Sequence, residues 1–410
     1  MPGETNQDSP QPPHVELVDD NPTERHDGEQ SPGITNGKGW DGKLRVPGRA
    51  SLANPEALSD PDSTSTEMAF FEEDLRKTAR LTCATVTDLF DDEDLDTDEL
   101  ISINARIQSI PSLRLNRFKK VARLCLRQNG ITEINGLECL AETLVDLDLY
   151  DNLIGHIRGL ESLTKLTNLD LSFNKIKHIK RVNHLKDLTD IFFVANKIST
   201  IENLEGLDQL RMLELASNRI REIQNLESLK NLEELWLAKN KITTLGGLSE
   251  LPKLRLLSIQ SNRIRDLSPL KDVPTLEELY ISHNALESLQ GLETNTKLRV
   301  LEISNNQITS LQGLGPLKEL EEVWASYNKL SDFADVEKEL KDKENLETVY
   351  FEGNPLQTRA EALYRNKVRL ALPQIKQIDA SKFGFLVGFN FHALTAPKQL
   401  LCEHETIGMH

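Results

Sequence analysis

The segment LRMLELASNRIREIQNLESLKNLEELWLAKN, residues 210–240, contains the pattern that decides the fold. It holds two copies of L-x-x-L-x-L-x-x-N, which end at Asn218 and Asn240, and apolar residues recur about every three positions between them. The L-x-L alternation predicts a short strand with one buried face, and the three-residue steps predict turns of 3₁₀ type. One copy cannot bury its own leucines, so neighbouring copies have to stack.

The same pattern extends in both directions from this segment. It ends at Asn129, Asn152, Asn174, Asn196, Asn218, Asn240, Asn262, Asn284, Asn306, Asn328 and Asn354, with gaps of 23 residues, then 22 eight times, then 26. We therefore predict an α/β fold: a leucine-rich-repeat solenoid, or horseshoe, with a concave parallel sheet, convex 3₁₀ turns and short helices, and a C-terminal helical cap. Each asparagine is expected to bind backbone groups inside the stack.

Composition divides the chain into four regions. These are an acidic, mostly disordered region 1–99, a repeat array 100–353 of about 11–12 repeats, a cap 354–380 and an atypical tail 381–410. Residues 1–66 are rich in proline and poor in large apolar side chains, which predicts disorder. Residues 67–82 are expected to form a short helix that serves N-terminal packing or partner binding, and the run DDEDLDTDE at 91–99 is expected to be a solvated linker.

Both ends of the array are expected to be capped, because the end of a solenoid exposes its core. A degenerate first repeat is predicted at 100–120, with Ala105 where an asparagine would stand. The longer last gap contains SDFADVEKELKDKEN (331–345), which predicts an inserted short helix. Residues 354–379 are expected to form a helix across the last coil, with buried contacts from Leu363, Val368, Leu370 and Leu372.

Charge and cysteine usage limit the function classes. The net charge is −17, but residues 1–99 hold 24 acidic and 8 basic side chains, so the remainder is nearly neutral. A neutral body argues against direct nucleic-acid binding. The sequence shows no apolar run of membrane-spanning length and no secretory signal, and its four scattered cysteines favour a reducing compartment. No metal-ligand spacing and no cofactor motif are present, so no metal and no cofactor are expected.

The position four before each asparagine lies between two apolar residues and is therefore expected to point outward from the concave sheet. This column reads Cys125, Asp148, Asp170, Phe192, Glu214, Trp236, Ser258, Tyr280, Glu302, Trp324 and Tyr350. Large aromatic side chains dominate protein interface hot spots, and carboxylates favour a basic partner. The predicted protein-interaction residues are Asp148, Asp170, Phe192, Glu214, Trp236, Tyr280, Glu302, Trp324 and Tyr350. We expect a binding protein, not an enzyme, because these carboxylates follow successive coils on an open surface without a pocket.

The 22-residue repeats, LCLRQN at 124–129, LDLYDN at 147–152 and YRNKVRLALPQIKQIDA at 364–380 resemble the leucine-rich-repeat regulatory subunits of protein phosphatase-1. The resemblance spans roughly residues 100–380. It implies binding of the phosphatase catalytic subunit on the concave face, association with an additional inhibitor protein, and recognition of newly made or metal-depleted phosphatase. It also implies roles in phosphatase assembly, mitosis and the cell cycle, in the nucleus and cytoplasm.

Two other classes of function are considered. A ribonucleoprotein scaffold of the U2 A-prime type shares the repeat and a similar cap, but has far fewer repeats. An enzyme is the third class. The long N-terminal region and the residues after Ala380 depart from the phosphatase-regulator pattern.

Overall fold

The computed structural model describes residues 89–382. Within this range the chain forms a 14-stranded sheet whose strands follow one another in chain order. The strands are β1 (Glu99–Ile101), β2 (Arg123–Cys125), β3 (Asp146–Asp148), β4 (Asn168–Asp170), β5 (Asp190–Phe192), β6 (Met212–Glu214), β7 (Glu234–Trp236), β8 (Leu256–Ser258), β9 (Glu278–Tyr280), β10 (Val300–Glu302), β11 (Glu322–Trp324), β12 (Thr348–Tyr350), β13 (Gln377–Ile378) and β14 (Ser381–Lys382). Strands β1 to β13 pair in parallel, and β14 pairs antiparallel to β13. The predicted leucine-rich-repeat solenoid is confirmed.

The core is a stack of aligned apolar side chains. The central residue of each strand from β1 to β12 is a leucine, isoleucine or valine that is almost fully buried, as Leu169 and Leu213 are. The register places each of these residues beside its counterpart in the next coil, so Leu213 neighbours Ile191 and Leu235. Every coil therefore depends on its neighbours for burial of its apolar side.

The asparagines form a hydrogen-bonded ladder along this core. Asn152 shows the arrangement: Nδ2 donates to the carbonyls of Leu126 in the preceding coil and Leu149 in its own, at 3.0 Å each. Its Oδ1 accepts from the backbone N–H of Ile131 at 3.1 Å. Asn174, Asn218 and Asn328 repeat these contacts. Buried backbone groups need such partners, which confirms the structural role predicted for these side chains.

The opposite side of each coil consists mostly of turns. The described 3₁₀ helices are confined to Ile110–Leu113, Leu115–Arg117, Glu138–Leu140 and Ser268–Asp272. Other coils contain separate backbone hydrogen bonds between residues three apart, such as Leu185 N to Val182 O at 2.9 Å and Leu188 N to Leu185 O at 3.2 Å. The predicted three-residue step is thus present, but it extends into a 3₁₀ helix in only a few coils.

At the N-terminal end the acidic run folds against the first coil. Phe90 is buried and meets the Phe118 ring edge to face, with 6.3 Å between the ring centroids. Asp91 pairs with Arg117, and Asp96 pairs with Lys120 at 3.1 Å. Most side chains of the run at 91–99 are exposed, as predicted for a solvated linker, and these contacts also fix the run against the first coil. In the degenerate first repeat, Ala105 N–H donates to Asn129 Oδ1 at 3.0 Å.

The C-terminal end contains the described α-helices. Helix α1 (Phe333–Leu340) is the predicted insertion, and α2 (Pro355–Thr358) and α3 (Glu361–Ala371) form the cap. Val368 and Leu372 are buried as predicted, but Leu363 and Leu370 are 56% and 79% exposed, so their predicted burial is wrong. The buried side of α3 is formed by Tyr364 instead, whose hydroxyl donates to Asp379 Oδ1 at 3.2 Å.

The helix predicted for residues 67–82 and most of the tail after Lys382 lie outside the described residues. No described helix is both long and apolar enough to cross a membrane. Across residues 89–382, no group of three or more His, Cys, Asp or Glu side chains is arranged to hold a metal ion.

Candidate protein-interaction face

The candidate site is the side of the sheet opposite the leucine core, which we call the sheet face. Each predicted interaction residue is the last residue of its strand, and the parallel register places these residues side by side. The structure therefore brings them into one continuous row, interrupted only by Ser258 between Trp236 and Tyr280. Their role in binding stays a prediction.

The aromatic and acidic members of the row differ in exposure. Phe192, Trp236, Tyr280, Trp324 and Tyr350 are half-buried. Three carboxylates of the row are more deeply covered, with exposed fractions of 6% for Asp170, 6% for Glu214 and 8% for Glu302. Glu214 lies between Phe192 and Trp236, and Glu302 lies between Tyr280 and Trp324. The carboxylates therefore lie on the expected side of the sheet, but the larger side chains beside them leave them nearly buried.

Burial changes the proton affinity of these carboxylates. Removal from water raises the pKa of Glu214 to about 7, and the nearby charge of Asp170 adds to the effect. Burial, reinforced by the charge of Asp148, raises the pKa of Asp170 to about 6. Burial also raises the pKa of Glu302. The row thus holds carboxylates that an incoming cation would stabilise in the ionised form.

Glu214 differs from the other buried carboxylates in its hydrogen bonding. Asp170 accepts from Ser172 N–H at 2.8 Å, and Glu302 accepts from Ser282 N–H at 3.2 Å. No residue between 89 and 382 donates a hydrogen bond to the Glu214 carboxylate. A nearly buried carboxylate without a donor is costly, so Glu214 is the member of the row that gains most from a partner's donor.

A second acidic row orients the aromatic rings, and the sequence analysis missed it. Glu234 accepts from Trp236 Nε1 at 3.3 Å, Glu278 from Tyr280 O–H at 2.7 Å, and Glu322 from Trp324 Nε1 at 2.8 Å. Each of these glutamates is the first residue of its strand and so shares the sheet face with the ring. The sequence contains a pattern that indicates this second row. An acidic residue stands two positions before Phe192, and the same spacing recurs at three of the four later aromatic residues of the row.

The N-terminal end of the face carries a cluster that the sequence analysis also missed. Arg127 pairs with Asp148 and lies 3.6 Å from Asp170. Its guanidinium stands 5.2 Å from the centre of the Tyr150 ring, which in turn packs on Phe173 at 4.8 Å. Arg127 and Tyr150 occupy the position two before the asparagine, where later coils mostly carry small residues. The residue types at this position in the first two repeats are therefore the sequence feature that indicates Arg127 and Tyr150.

The C-terminal end of the face is joined to the cap. The Trp324 and Tyr350 rings pack with centroids 5.1 Å apart. Gln377 in β13 donates through Nε2 to the Tyr350 hydroxyl at 2.6 Å. Trp324 and Tyr350 are therefore held in place in the unbound protein, which reduces the loss of side-chain conformational entropy on binding.

Comparison with family models identifies the repeats. The model described as Leucine Rich repeats (2 copies) matches in overlapping windows from 208–250 to 296–338, and the model described as Leucine rich repeat matches 164–220. The Listeria monocytogenes internalin inlF superposes with a TM-score of 0.56 at 24% identity, covering 81% of this chain and all of the internalin chain. The Leptospira interrogans leucine-rich-repeat protein LIC12759 gives a TM-score of 0.52 at 25% identity, over 64% of this chain and 73% of its own. These structures support the fold.

Similarity in sequence points to a narrower group. The chain is 50% identical over 92 residues to the protein phosphatase 1 regulatory subunit SDS22 of Saccharomyces cerevisiae, and 55% identical over 79 residues to that of Schizosaccharomyces pombe. The protein phosphatase 1 regulatory subunit 7 of Danio rerio is 51% identical over 53 residues. The matches cover 22%, 19% and 13% of this chain and 27%, 23% and 14% of the three relatives. They confirm the resemblance found in the sequence, over about a quarter or less of each relative's length.

Proposed function

We propose that this leucine-rich-repeat protein, a relative of protein phosphatase-1 regulatory subunits, is itself a non-catalytic subunit that binds the phosphatase catalytic subunit on its sheet face. The observation that carries the proposal is the 50% identity with SDS22 over 92 residues. The relatives are named as regulatory subunits, which fits a role in binding rather than catalysis.

The geometry of the sheet face supports its use as the binding surface. Half-buried rings fixed by Glu234, Glu278 and Glu322 present large apolar areas at little further loss of conformational entropy. The shielded carboxylates between them favour arginine or lysine side chains on the partner, and Glu214 in particular lacks a donor.

Further parts of the proposal follow the resemblance. The complex acts in phosphatase assembly, activity control and mitosis, in the nucleus and cytoplasm, and an additional inhibitor protein can join it. Affinity purification followed by metal analysis of the captured phosphatase tests the assembly role. Phosphatase with a full metal complement would contradict selective binding of the metal-depleted form.

The binding surface is tested with a Trp236→Ala/Trp324→Ala double variant. Truncation of an interface hot-spot residue typically costs roughly 2 kcal/mol or more, so the two changes should weaken the complex about a thousandfold. Binding is measured by titration with purified catalytic subunit. The matched control is Leu363→Ala/Leu370→Ala, two exposed apolar side chains on α3 away from the sheet. Unchanged affinity in the tryptophan variant would contradict the proposed surface, and capture of a spliceosomal RNA-binding protein instead would favour the ribonucleoprotein scaffold.

A further inference from the structure

A row of basic side chains lies beside the asparagine ladder, at a place separate from the sheet face. The residue directly after the asparagine is basic in five successive coils: Lys175, Lys197, Arg219, Lys241 and Arg263. Alternate coils add a second basic residue two positions later, at Lys177, Arg221 and Arg265. We call these eight residues the basic edge. No acidic residue occupies either position in these five coils.

Backbone hydrogen bonds hold this row in line. The N–H of Lys197 donates to the carbonyl of Ile176 at 2.8 Å, and Arg219 N–H donates to Ile198 O at the same distance. The coils are therefore stacked at this position as closely as in the sheet, at about 4.8 Å per step. The five coils span roughly 19 Å by that spacing, which is about six residues of extended chain.

The side chains of the basic edge are unpaired. None of the eight forms an ion pair or a side-chain hydrogen bond with any residue between 89 and 382. A second row of the same solenoid is paired: Arg211 with Glu233 at 3.0 Å, Arg255 with Glu277 at 3.5 Å, and Arg299 with Glu321 at 2.8 Å. Like charges stacked without counter-charges repel one another. The basic edge therefore carries positive charges that form no ion pair within residues 89–382, unlike the row that contains Arg211 and Arg299.

We propose that the basic edge binds an extended acidic peptide segment of a partner protein. The strip is only two side chains wide, which suits a single extended chain. Duplex nucleic acid needs a broadly basic surface, whereas the neighbouring sheet face is acidic. Single-stranded nucleic acid needs aromatic rings on which bases stack, whereas Phe173 stands at one end of the strip only. This inference is independent of the proposed phosphatase binding.

The test uses fluorescence anisotropy with the full-length chain and labelled octaglutamate. Octaglutamine and an oligonucleotide of matched charge serve as comparison probes. Arg219→Gln/Lys241→Gln/Arg263→Gln should weaken octaglutamate binding at least tenfold and reduce its dependence on salt. The matched control, Arg211→Gln/Arg255→Gln/Arg299→Gln, removes the same number of charges from the paired row and should change the affinity less than twofold.

Four results would overturn the proposal: no saturable binding of octaglutamate, equal binding of octaglutamine, equal losses in both triple variants, or tighter binding of the oligonucleotide. Circular dichroism checks that the variants are folded. If the triple variant is unfolded, Arg219→Gln alone decides the question, with an expected two- to threefold loss of affinity against no change for Arg211→Gln.

Discussion

Replacement of Glu214 by glutamine should stabilise the protein at alkaline pH while it removes a contact offered to the partner. The side chain is 6% exposed, and burial raises the pKa of Glu214 to about 7 from an ordinary value of 4.5. Between these two values the folded state holds a proton that the unfolded state has released. Stability contributed by this group is therefore greatest at acid pH, falls as the pH rises from about 4.5 to about 7, and stays low above that.

The size of the effect follows from the difference between the two pKa values. At about 1.4 kcal/mol per pKa unit, ionised Glu214 destabilises the fold by about 3 kcal/mol at pH 8, and by less than about 1 kcal/mol at pH 5. Glu214→Gln removes the ionisation, so the gain in stability should approach these values. They are upper limits, because the new amide N–H groups also need partners.

Urea unfolding of the full-length chain at pH 5 and pH 8 measures this gain. Midpoints are compared, since a solenoid can unfold in more than one step. Glu302→Gln is the matched control. Ser282 and Ser304 N–H groups bind the ionised form of Glu302, so its replacement should stabilise the fold less. A Glu214→Gln midpoint that equals the wild-type midpoint at pH 8, or a difference that does not change with pH, would refute the reasoning.

Two further predictions concern stability. Asn240→Ala should destabilise the fold by about 2 kcal/mol, because it leaves the buried Ile220 N–H without an acceptor and removes one of the two amide donors to each of the Leu215 and Leu237 carbonyls. Asn231 is half-buried and makes its side-chain hydrogen bonds at the surface, so Asn231→Ala should cost less than about 1 kcal/mol. Equal shifts in the urea midpoint for the two variants would contradict the ladder. In the cap, Val368→Ala should cost about 2 kcal/mol, whereas Leu363→Ala and Leu370→Ala should each lie within about 0.5 kcal/mol of wild type. Thermal melts in which Leu363→Ala or Leu370→Ala lowered the Tm more than Val368→Ala did would contradict the described orientation of α3.

The repeat could be predicted from sequence because its physics is local and recurs. A period of 22 residues with alternating leucines at one point and three-residue steps at another leaves little choice of fold. The role of the asparagines followed from the same pattern, since each one sits where a strand ends and buried backbone needs partners.

The errors occurred where the outcome depends on contacts between neighbouring elements. Alternation correctly placed Asp170, Glu214 and Glu302 on the sheet face, but it carries no information on shielding by the rings of adjacent strands. In α3, apolar side chains occur on two faces of the helix. The face that contains Tyr364 is buried, and Tyr364 donates a hydrogen bond to Asp379 there, whereas the face that contains Leu363 and Leu370 is exposed. At 91–99, acidic composition indicated solvated side chains, but it did not indicate that Arg117 and Lys120 would pair with the run.

The central claim is that the sheet face contacts the phosphatase catalytic subunit, and its two tryptophans allow a direct measurement. The chain has three tryptophans, of which Trp236 and Trp324 lie on the sheet face. Labelling the chain with 5-fluorotryptophan gives a ¹⁹F spectrum that Trp236→Phe and Trp324→Phe variants assign. Addition of unlabelled catalytic subunit should shift or broaden both of these resonances in a saturable, stoichiometric titration. A complex that forms while both resonances stay unchanged would contradict the claim.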